Sequence, residues 1–308
     1  MQDRYTDTHR ESLVAVLGAP PEMCPIEPEI LETESFEGYD RLRVSYFVSP
    51  GERVESFVLV PQNLTALVPA VVCHHRHNND WMIGKSEIVG LAGDPCEAIG
   101  VELVLRGYVV LAPDAIAFED RRSIADPGYR NNFQELAVRL LRGETLLRKA
   151  IWDISRGIDF LEKIPEVDMD RIGIVGHGYG SLMAAWVAAM DVRVTAAAGY
   201  GNWTSMHEQL RRRIPIQIEL AVPRLLQVAD YDWILGVIAP RPFLISTMVG
   251  DPTSLDALSI YERARLIYER LSMGDRLGFL ESNVDSGQSF PRAAREKIYD
   301  WLDSWLKL

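Results

Sequence analysis

Apolar positions in this chain fall two apart in some stretches and three or four apart in others, and the changes of period divide it into elements. Leu13, Val14, Val16 and Leu17 form the apolar stripe of a short helix over 7–17. The proline-rich piece at 19–28 breaks it. Alternation then takes over from 29 to 60, with Leu42, Val44, Tyr46 and Val48 followed by Val54, Ser56, Val58 and Val60. A Ser-Pro-Gly-Glu turn at 49–52 joins the two runs and predicts an antiparallel hairpin region. Short apolar runs at 70–73, 108–112, 171–176, 193–198, 242–247 and 277–281 predict parallel strands buried on both faces. Helices are predicted at 95–106, 133–142, 144–164, 179–190, 254–272 and 291–306. The 144–164 helix carries Leu147, Ile151, Ile154, Ile158 and Leu161 at helical spacing, and the last carries Trp301 and Trp305 four apart.

Strands alternating with helices predict an α/β fold built on a doubly wound, mostly parallel sheet, preceded by the hairpin. The stretch 202–238, rich in Trp, Arg and Pro, predicts an irregular lid over one end. No repeat or linker interrupts the pattern, so residues 1–308 are expected to form one domain, with 1–28 as a helix and proline-rich arm.

Composition narrows the partners. Of 308 residues, 47% are hydrophobic and 25% charged, and the net charge is -12. That acidic balance disfavours nucleic acid or an anionic membrane and leaves a small-molecule substrate or ligand as the expected partner. The three cysteines, Cys24, Cys73 and Cys96, match neither a disulfide framework nor a zinc spacing. No apolar run reaches the roughly 20 residues of a membrane span, and the first residues lack the order of a signal peptide, so a cytoplasmic protein is expected. The N-terminal helix and hairpin offer a surface for a homodimer.

Candidate chemistry centres on Gly176-His177-Gly178-Tyr179-Gly180, between an apolar strand run and a small-residue helical run. Strand, sharp turn and helix are the context of a nucleophile elbow, whose pattern is Gly-x-Ser-x-Gly. The position that should hold the serine is Gly178.

Several segments resemble the α/β-hydrolases of the dienelactone hydrolase and acetyl-xylan-esterase-like group. They are Gly-Leu-Ala-Gly-Asp-Pro at 90–95, Arg-Gly-Tyr-Val-Val-Leu-Ala-Pro-Asp-Ala at 106–115, the run from 168 to 177, Ala-Pro-Arg-Pro-Phe-Leu-Ile-Ser at 239–246 and Tyr-Asp-Trp-Leu at 299–302. The resemblance covers residue 55 onward and implies the α/β-hydrolase fold. It also implies an acid at Asp251 and a histidine in the loop after the last strand, where this chain has Gln288. Two triad members, the serine and the histidine, are thus replaced, and the ordinary acyl-enzyme route is not expected.

What remains is an anion hole. The Tyr179 N–H opens a helix, where free donors and the dipole favour negative charge, and a second donor is expected near His75. The loop Cys-His-His-Arg-His-Asn-Asn-Asp at 73–80 brings His74, His75, His77 and Asp80 to the mouth. His75 and His77 are the expected acid and base, with Asp251 or Asp80 orienting one of them and His177 beside the elbow. The plainer alternative is that these histidines hydrogen-bond within their loops. His75, His77 and Asp80 also make a weak metal set, while Cys73 and Ser181 are minor candidates as nucleophiles; no metal or cofactor is expected. Glu119 and Arg121 on the loop after 108–112, and Trp203 and one arginine of 211–213 in the lid, are candidate substrate contacts, with a salt-bridged rim as the alternative. Together these residues predict a non-serine enzyme acting beside a carbonyl by elimination, isomerisation, cyclisation, C–C cleavage or water-mediated hydrolysis. The competing expectation is a pseudoenzyme that binds a ligand or protein partner without turning it over.

Overall fold

The computed structural model describes residues 4–77, 79–123, 129–283 and 289–307. Helix α1 (Arg4–Leu17) precedes three antiparallel strands, β1 (Glu29–Phe36), β2 (Tyr39–Ser49) and β3 (Glu52–Pro61). Strand β4 (Val68–His74) is followed by α2 (Lys85–Ile88), α3 (Ile99–Leu105) and β5 (Val109–Pro113). Then come α4 (Tyr129–Leu141), α5 (Leu146–Leu161), β6 (Val167–His177), α6 (Tyr179–Met190) and β7 (Val194–Tyr200). The chain ends with α7 (Met206–Arg212), α8 (Tyr231–Ile238), β8 (Phe243–Met248), α9 (Ala257–Arg270), β9 (Leu277–Ser282) and α10 (Arg292–Leu306).

All nine strands join one sheet in the order β1-β2-β3-β5-β4-β6-β7-β8-β9. The pairings from β1 to β5 through β3 are antiparallel, and those from β5 through β4 to β9 are parallel. Period-two alternation divides each central strand between two cores. Ala70 and Val72 of β4, Val109 and Leu111 of β5, and Ile172 and Ile174 of β6 share one core with α1, α5, α6 and α8. Val71, Cys73, Val110, Ala112 and Val175 face the other, with α3 and α10. A sheet covered on both faces is why these strands read as continuous apolar runs.

The sequence expectations fail where polarity hides an element. The antiparallel part has a third strand, β1, exposed at nearly every residue and therefore without an apolar alternation. The predicted helix at 95–106 begins as a separate 3-10 turn at Pro95–Glu97, its first N–H groups capped by Asp94, which accepts from Cys96 at 3.0 Å. The stretch 202–238 is not an irregular lid throughout. It holds α7, whose cap Ser205 accepts from the Glu208 N–H, and α8, whose Ile234, Leu235 and Ile238 are fully buried against α6 and α9. Among the described residues no helix is long and apolar enough to cross a membrane.

The chain runs from β4 outward to β5, then returns to place β6 on the opposite side of β4. That reversal leaves a crevice at the carboxyl ends of β4 and β6, where open α/β sheets bind ligands. Register sets His74 beside Gly176 and His177 beside Tyr200 at this edge.

Candidate active site

The strand–turn–helix at 176–180 has a sharply turned backbone with glycine at its apex. Gly178 sits at φ 58 and ψ -112, outside the regions an L-residue adopts without strain. A side chain at Gly176 would overlap the backbone of Gly180, and one at Gly180 would overlap the His74 carbonyl. These two glycines are fixed by the close approach of β6, α6 and the loop after β4. Gly178 differs: among the described residues a Cβ there would meet only the Arg76 Cβ, at 3.7 Å. The missing side chain thus leaves open space in front of the first turn of α6. The N–H of Tyr179, first residue of that helix, belongs to the donors a helix cannot use internally.

A cavity of about 300 Å³ covers this point, lined by Arg76, His77, His177, Gly178, Tyr179, Tyr200, Asn202, Gln217, Met248, Asp251, Thr253 and Ser289. A more voluminous groove of about 450 Å³ lies between α7, α8 and α9. It contains no part of the elbow, and backbone geometry rather than volume places the site.

His177 is the group with the most chemistry on this wall. Its Nδ1 lies 2.8 Å from Glu97 Oε1, and Glu97 is 2% exposed. Burial works to raise the Glu97 carboxyl, but the hydrogen bond and charge of His177, with Arg76 and the Ser289 hydroxyl, hold it below its ordinary value. An ionised Glu97 accepts from Nδ1, and no described residue hydrogen-bonds Nε2. That Nε2 and Asp251 Oδ2 each lie 3.6 Å from where a side chain on Gly201 would begin. Bare backbone at Gly201 keeps open the space between them. Ser289 Oγ stands 2.8 Å from the same Glu97 oxygen, and Arg76 Nη1 stands 3.5 Å away. Arg76 also donates from Nε to Glu87 Oε1 at 3.0 Å. Burial pushes Glu87 up to about 7 against the pull of Arg76, and the Glu97 charge adds to the rise.

The loop histidines have other partners. His75 donates from Nδ1 to the Arg76 carbonyl at 2.9 Å and accepts at Nε2 from the Ala115 N–H at 3.1 Å. Both nitrogens are committed to backbone, and burial, reinforced by the neighbouring imidazoles, lowers its pKa well below the usual value. His74 donates from Nδ1 to the His75 carbonyl at 2.9 Å, and burial lowers it to about 4. His77 lines the cavity, yet its Nδ1 accepts from the Asn79 N–H and its Nε2 lies 3.1 Å from buried Glu219. The three rings pack with Phe118, Trp81 and Tyr179 into one aromatic cluster. The acid–base work expected of His75 and His77 therefore meets rings whose nitrogens already have partners inside an aromatic cluster.

Other candidates also separate. Asp80 accepts from the Met82 N–H in its own turn and does not line the cavity. Asp251 lines it, with Oδ1 held by the Thr253 N–H and hydroxyl and Oδ2 by the Ser254 hydroxyl at 2.6 Å. Glu119 joins Asp114 and Asp120 around fully buried Lys85, whose Nζ stands 2.7 Å from Asp114 and 2.9 Å from Glu119. These three carboxylates come within 4.8 Å of one another, but the ammonium takes the place of a cation. Arg121 bridges Glu52 and Asp153 at 2.7 Å each. Both residues sit in ion pairs that brace the loop after β5, and neither lines the elbow cavity. Trp203 is fully buried and donates to the Gly199 carbonyl, so it is core rather than lid. Cys73 is buried, and that burial pushes its thiol far above the ordinary range. The Ser181 hydroxyl is buried inside α6. Gln288 lies outside the described residues.

Sequence reading missed Glu97, Arg76, Gln217, Asn202 and Thr253. The only available signal for Glu97 was an Asp-Pro helix start placing an acid early in the crossover after β4; no spacing ties position 97 to 177.

The sequence pattern of the dienelactone hydrolase family matches residues 82–235, half of the chain. A Bacillus subtilis (strain 168) protein named "Putative hydrolase YtaP" is 29% identical over 245 residues, 79% of this chain and 80% of its own. A solved "putative acetyl xylan esterase" from Bacteroides fragilis NCTC 9343 superposes with a TM-score of 0.75 at 18% identity, covering 90% of this chain and 74% of that one. The glucuronoyl esterase from Solibacter usitatus gives 0.70 at 15% identity, covering 98% and 93%. At these identities the two structures establish a shared fold.

Proposed function

This chain belongs to the dienelactone hydrolase family, and from that premise we propose that it hydrolyses a small polar ester or lactone through water activated by His177 and Glu97. The observation that carries the proposal is the 2.8 Å contact between His177 Nδ1 and buried Glu97, beside an elbow whose side-chain position is empty. In an ordinary member a serine hydroxyl would stand over α6 and a histidine from the loop after β9 would take its proton. Here the volume freed at Gly178 takes a water molecule.

His177 Nε2 accepts a proton from that water as its oxygen attacks the carbonyl carbon. The carbonyl π electrons move onto oxygen, and the oxyanion forms at the Tyr179 N–H, in the field of the α6 N-terminus. The imidazolium, held by ionised Glu97, then passes its proton to the leaving alkoxide as the C–O bond breaks. Acid and alcohol are the products, and no covalent enzyme intermediate forms. Glu97 orients the ring and stabilises its charged form, as the acid of a triad does. Acetylated and uronate-type sugar esters are the first substrates to try, since the neighbouring folds include an acetyl xylan esterase and a glucuronoyl esterase.

The test pairs p-nitrophenyl acetate and the methyl ester of glucuronic acid with wild type, His177→Ala and Glu97→Gln. The expected result is slow steady turnover without an initial burst. Each substitution should lower kcat by about 10²-fold or more in protein that still shows a cooperative unfolding transition. A stoichiometric burst of released alcohol would establish a covalent nucleophile and overturn the water route. Unaltered kcat in His177→Ala would remove the base. No turnover of any ester, with ligand binding retained, would favour the pseudoenzyme.

A further inference from the structure

Among the described residues that line the elbow cavity, Asp251 is the one carboxylate and Arg76 the one arginine or lysine. Their charges are met differently. Arg76 stands between buried Glu87 and Glu97, at 3.0 and 3.5 Å, so its positive charge is already answered twice. Half-buried Asp251 is held by neutral donors. The Thr253 N–H and hydroxyl donate to Oδ1 at 2.8 and 2.7 Å, and the Ser254 and Thr247 hydroxyls donate to Oδ2 at 2.6 and 3.3 Å. The Thr253 and Ser254 hydroxyls in turn accept the N–H groups of Asn202 and Trp203, which directs their own protons to the carboxylate. Among the described residues no lysine, arginine or histidine pairs with Asp251, and the sequence of 284–288, Val-Asp-Ser-Gly-Gln, adds none. The cavity wall therefore carries a fixed negative charge without a cation, an environment that concentrates positive groups.

Oδ2 is the oxygen that faces the reacting centre. It and His177 Nε2 each lie 3.6 Å from the point where a side chain on Gly201 would begin, so the two atoms border one gap. Gly201 has φ 71, a conformation that strains other residues, and its bare backbone keeps that gap open. With one short donor and one long one, Oδ2 has capacity for a further hydrogen bond. Resting on the esterase reading above, we infer that the substrate is an ester of an amino alcohol, whose ammonium group binds Asp251 Oδ2. The ammonium belongs to the alcohol half because His177 returns its proton to the leaving oxygen from Nε2, across the same gap. With a hydrogen bond of about 2.8 Å at each end, a spacer of about two carbons is long enough to join leaving oxygen and nitrogen. Amino sugars esterified beside their amine are members of this class.

Unreactive amides replace esters in the test: N-(2-aminoethyl)acetamide, N-(2-hydroxyethyl)acetamide and N-propylacetamide, which differ in carrying an ammonium, a hydroxyl or a methyl at one position. Affinities are read by ligand-observed NMR titration at neutral pH, in about 20 mM and about 500 mM NaCl. At low salt the ammonium compound should bind wild type about 5-fold or more tighter than the propyl compound. The hydroxyl compound should gain less than about 2-fold. Asp251→Asn should bring the ammonium ratio to about 1, and high salt should lower it in wild type. A ratio unchanged in Asp251→Asn, a wild-type ratio indifferent to salt, a hydroxyl compound that binds as tightly as the ammonium, or no binding of any amide would overturn the inference. The salt series needs wild-type protein alone, so it decides the matter even where Asp251→Asn fails to fold. The amides are not turned over, which separates this outcome from the catalytic one: if His177→Ala retains esterase turnover, the proposed base is wrong while ammonium recognition still stands or falls on its own ratio.

Discussion

Replacing the three elbow glycines by alanine, one at a time, separates the positions that close backbone approach demands from the one beside open space. At Gly180 the new Cβ would overlap the His74 carbonyl, and at Gly176 it would overlap the Gly180 backbone. Neither obstacle is a side chain that can swing aside; both belong to the packed junction of β4, β6 and α6. Overpacking a rigid core costs 1–3 kcal/mol and sometimes more, and here whole strands must move, so each change should cost about 3 kcal/mol or more. Helix propensity works the other way at Gly180, since alanine is worth about 1 kcal/mol over glycine in a helix, but that gain is too small to offset the overlap. At Gly178 the steric cost vanishes, with the nearest atom 3.7 Å away, and only the backbone at φ 58 remains. A non-glycine residue there costs roughly 1–2 kcal/mol. Urea unfolding monitored by the buried tryptophans should therefore rank Gly178→Ala well above the other two. Equal losses at all three positions would refute the argument, because they would mean that Gly178 is as confined as its neighbours and leaves no room for water.

The catalytic assignment makes Glu97 more important than Asp251: Glu97→Gln should lower kcat about 10²-fold or more, while Asp251→Asn should change it less than 10-fold, and the reverse order would move the acid back to the loop after β8. Lys85→Met should destabilise the fold by about 3–5 kcal/mol in urea, since it leaves buried Asp114 facing Glu119 and Asp120 without their cation; a loss under about 1 kcal/mol would show that the cluster is not held by that charge. Glu87 is raised by burial from 4.5 to about 7. Its contribution to stability is full below pH 4.5 and is lost as pH rises through about 7. Unfolding midpoints across pH 5–8 should show that downward slope in wild type relative to Glu87→Gln, and parallel profiles would contradict it. His74, lowered by burial to about 4, and His75, lowered well below its usual value by burial, act with the opposite sign. Both must charge on unfolding in acid, so replacing His74 by Gln should reduce the loss of stability between pH 6.5 and 4.

The fold was legible because its determinants are local. Apolar runs of four to six residues separated by amphipathic helices can bury their surface in few ways other than a doubly wound sheet, and Val109 to Ala112 or Ile172 to Val175 show both faces being used. The elbow was legible for a similar reason, since two of its glycines are demanded by close backbone approach within five residues. Burial defeated the reading of polar side chains. His75 and His77 looked like an acid–base pair because their spacing suits one, yet spacing does not reveal that Ala115, Arg76, Asn79 and Glu219 occupy their nitrogens. Glu97 failed to stand out for the converse reason: an acid at a helix start is ordinary, and only the crossover after β4 brings it under His177.

As proposed, that placement lets a hydrolase scaffold work with glycine at its elbow. The usual triad draws its members from three loops, after β6, β8 and β9. The pair proposed here takes its imidazole from β6 itself and its carboxylate from the turn before α3, both packed against the parallel part of the sheet. Such a pair does not depend on the loop after β9 to supply an imidazole, and the position held by Gln288 is then free of that demand. Ser289, the first described residue after that loop, still lends its hydroxyl to Glu97. A base beside the elbow, as proposed, also suits a glycine at position 178. A serine there would share its space with the water that His177 activates, whereas glycine keeps the strained turn at low cost and leaves the oxyanion donor of Tyr179 uncovered. Gly178→Ser is thus expected to lower esterase turnover rather than restore a triad. A rise in turnover accompanied by a burst would mean that His177 serves a serine as readily as a water.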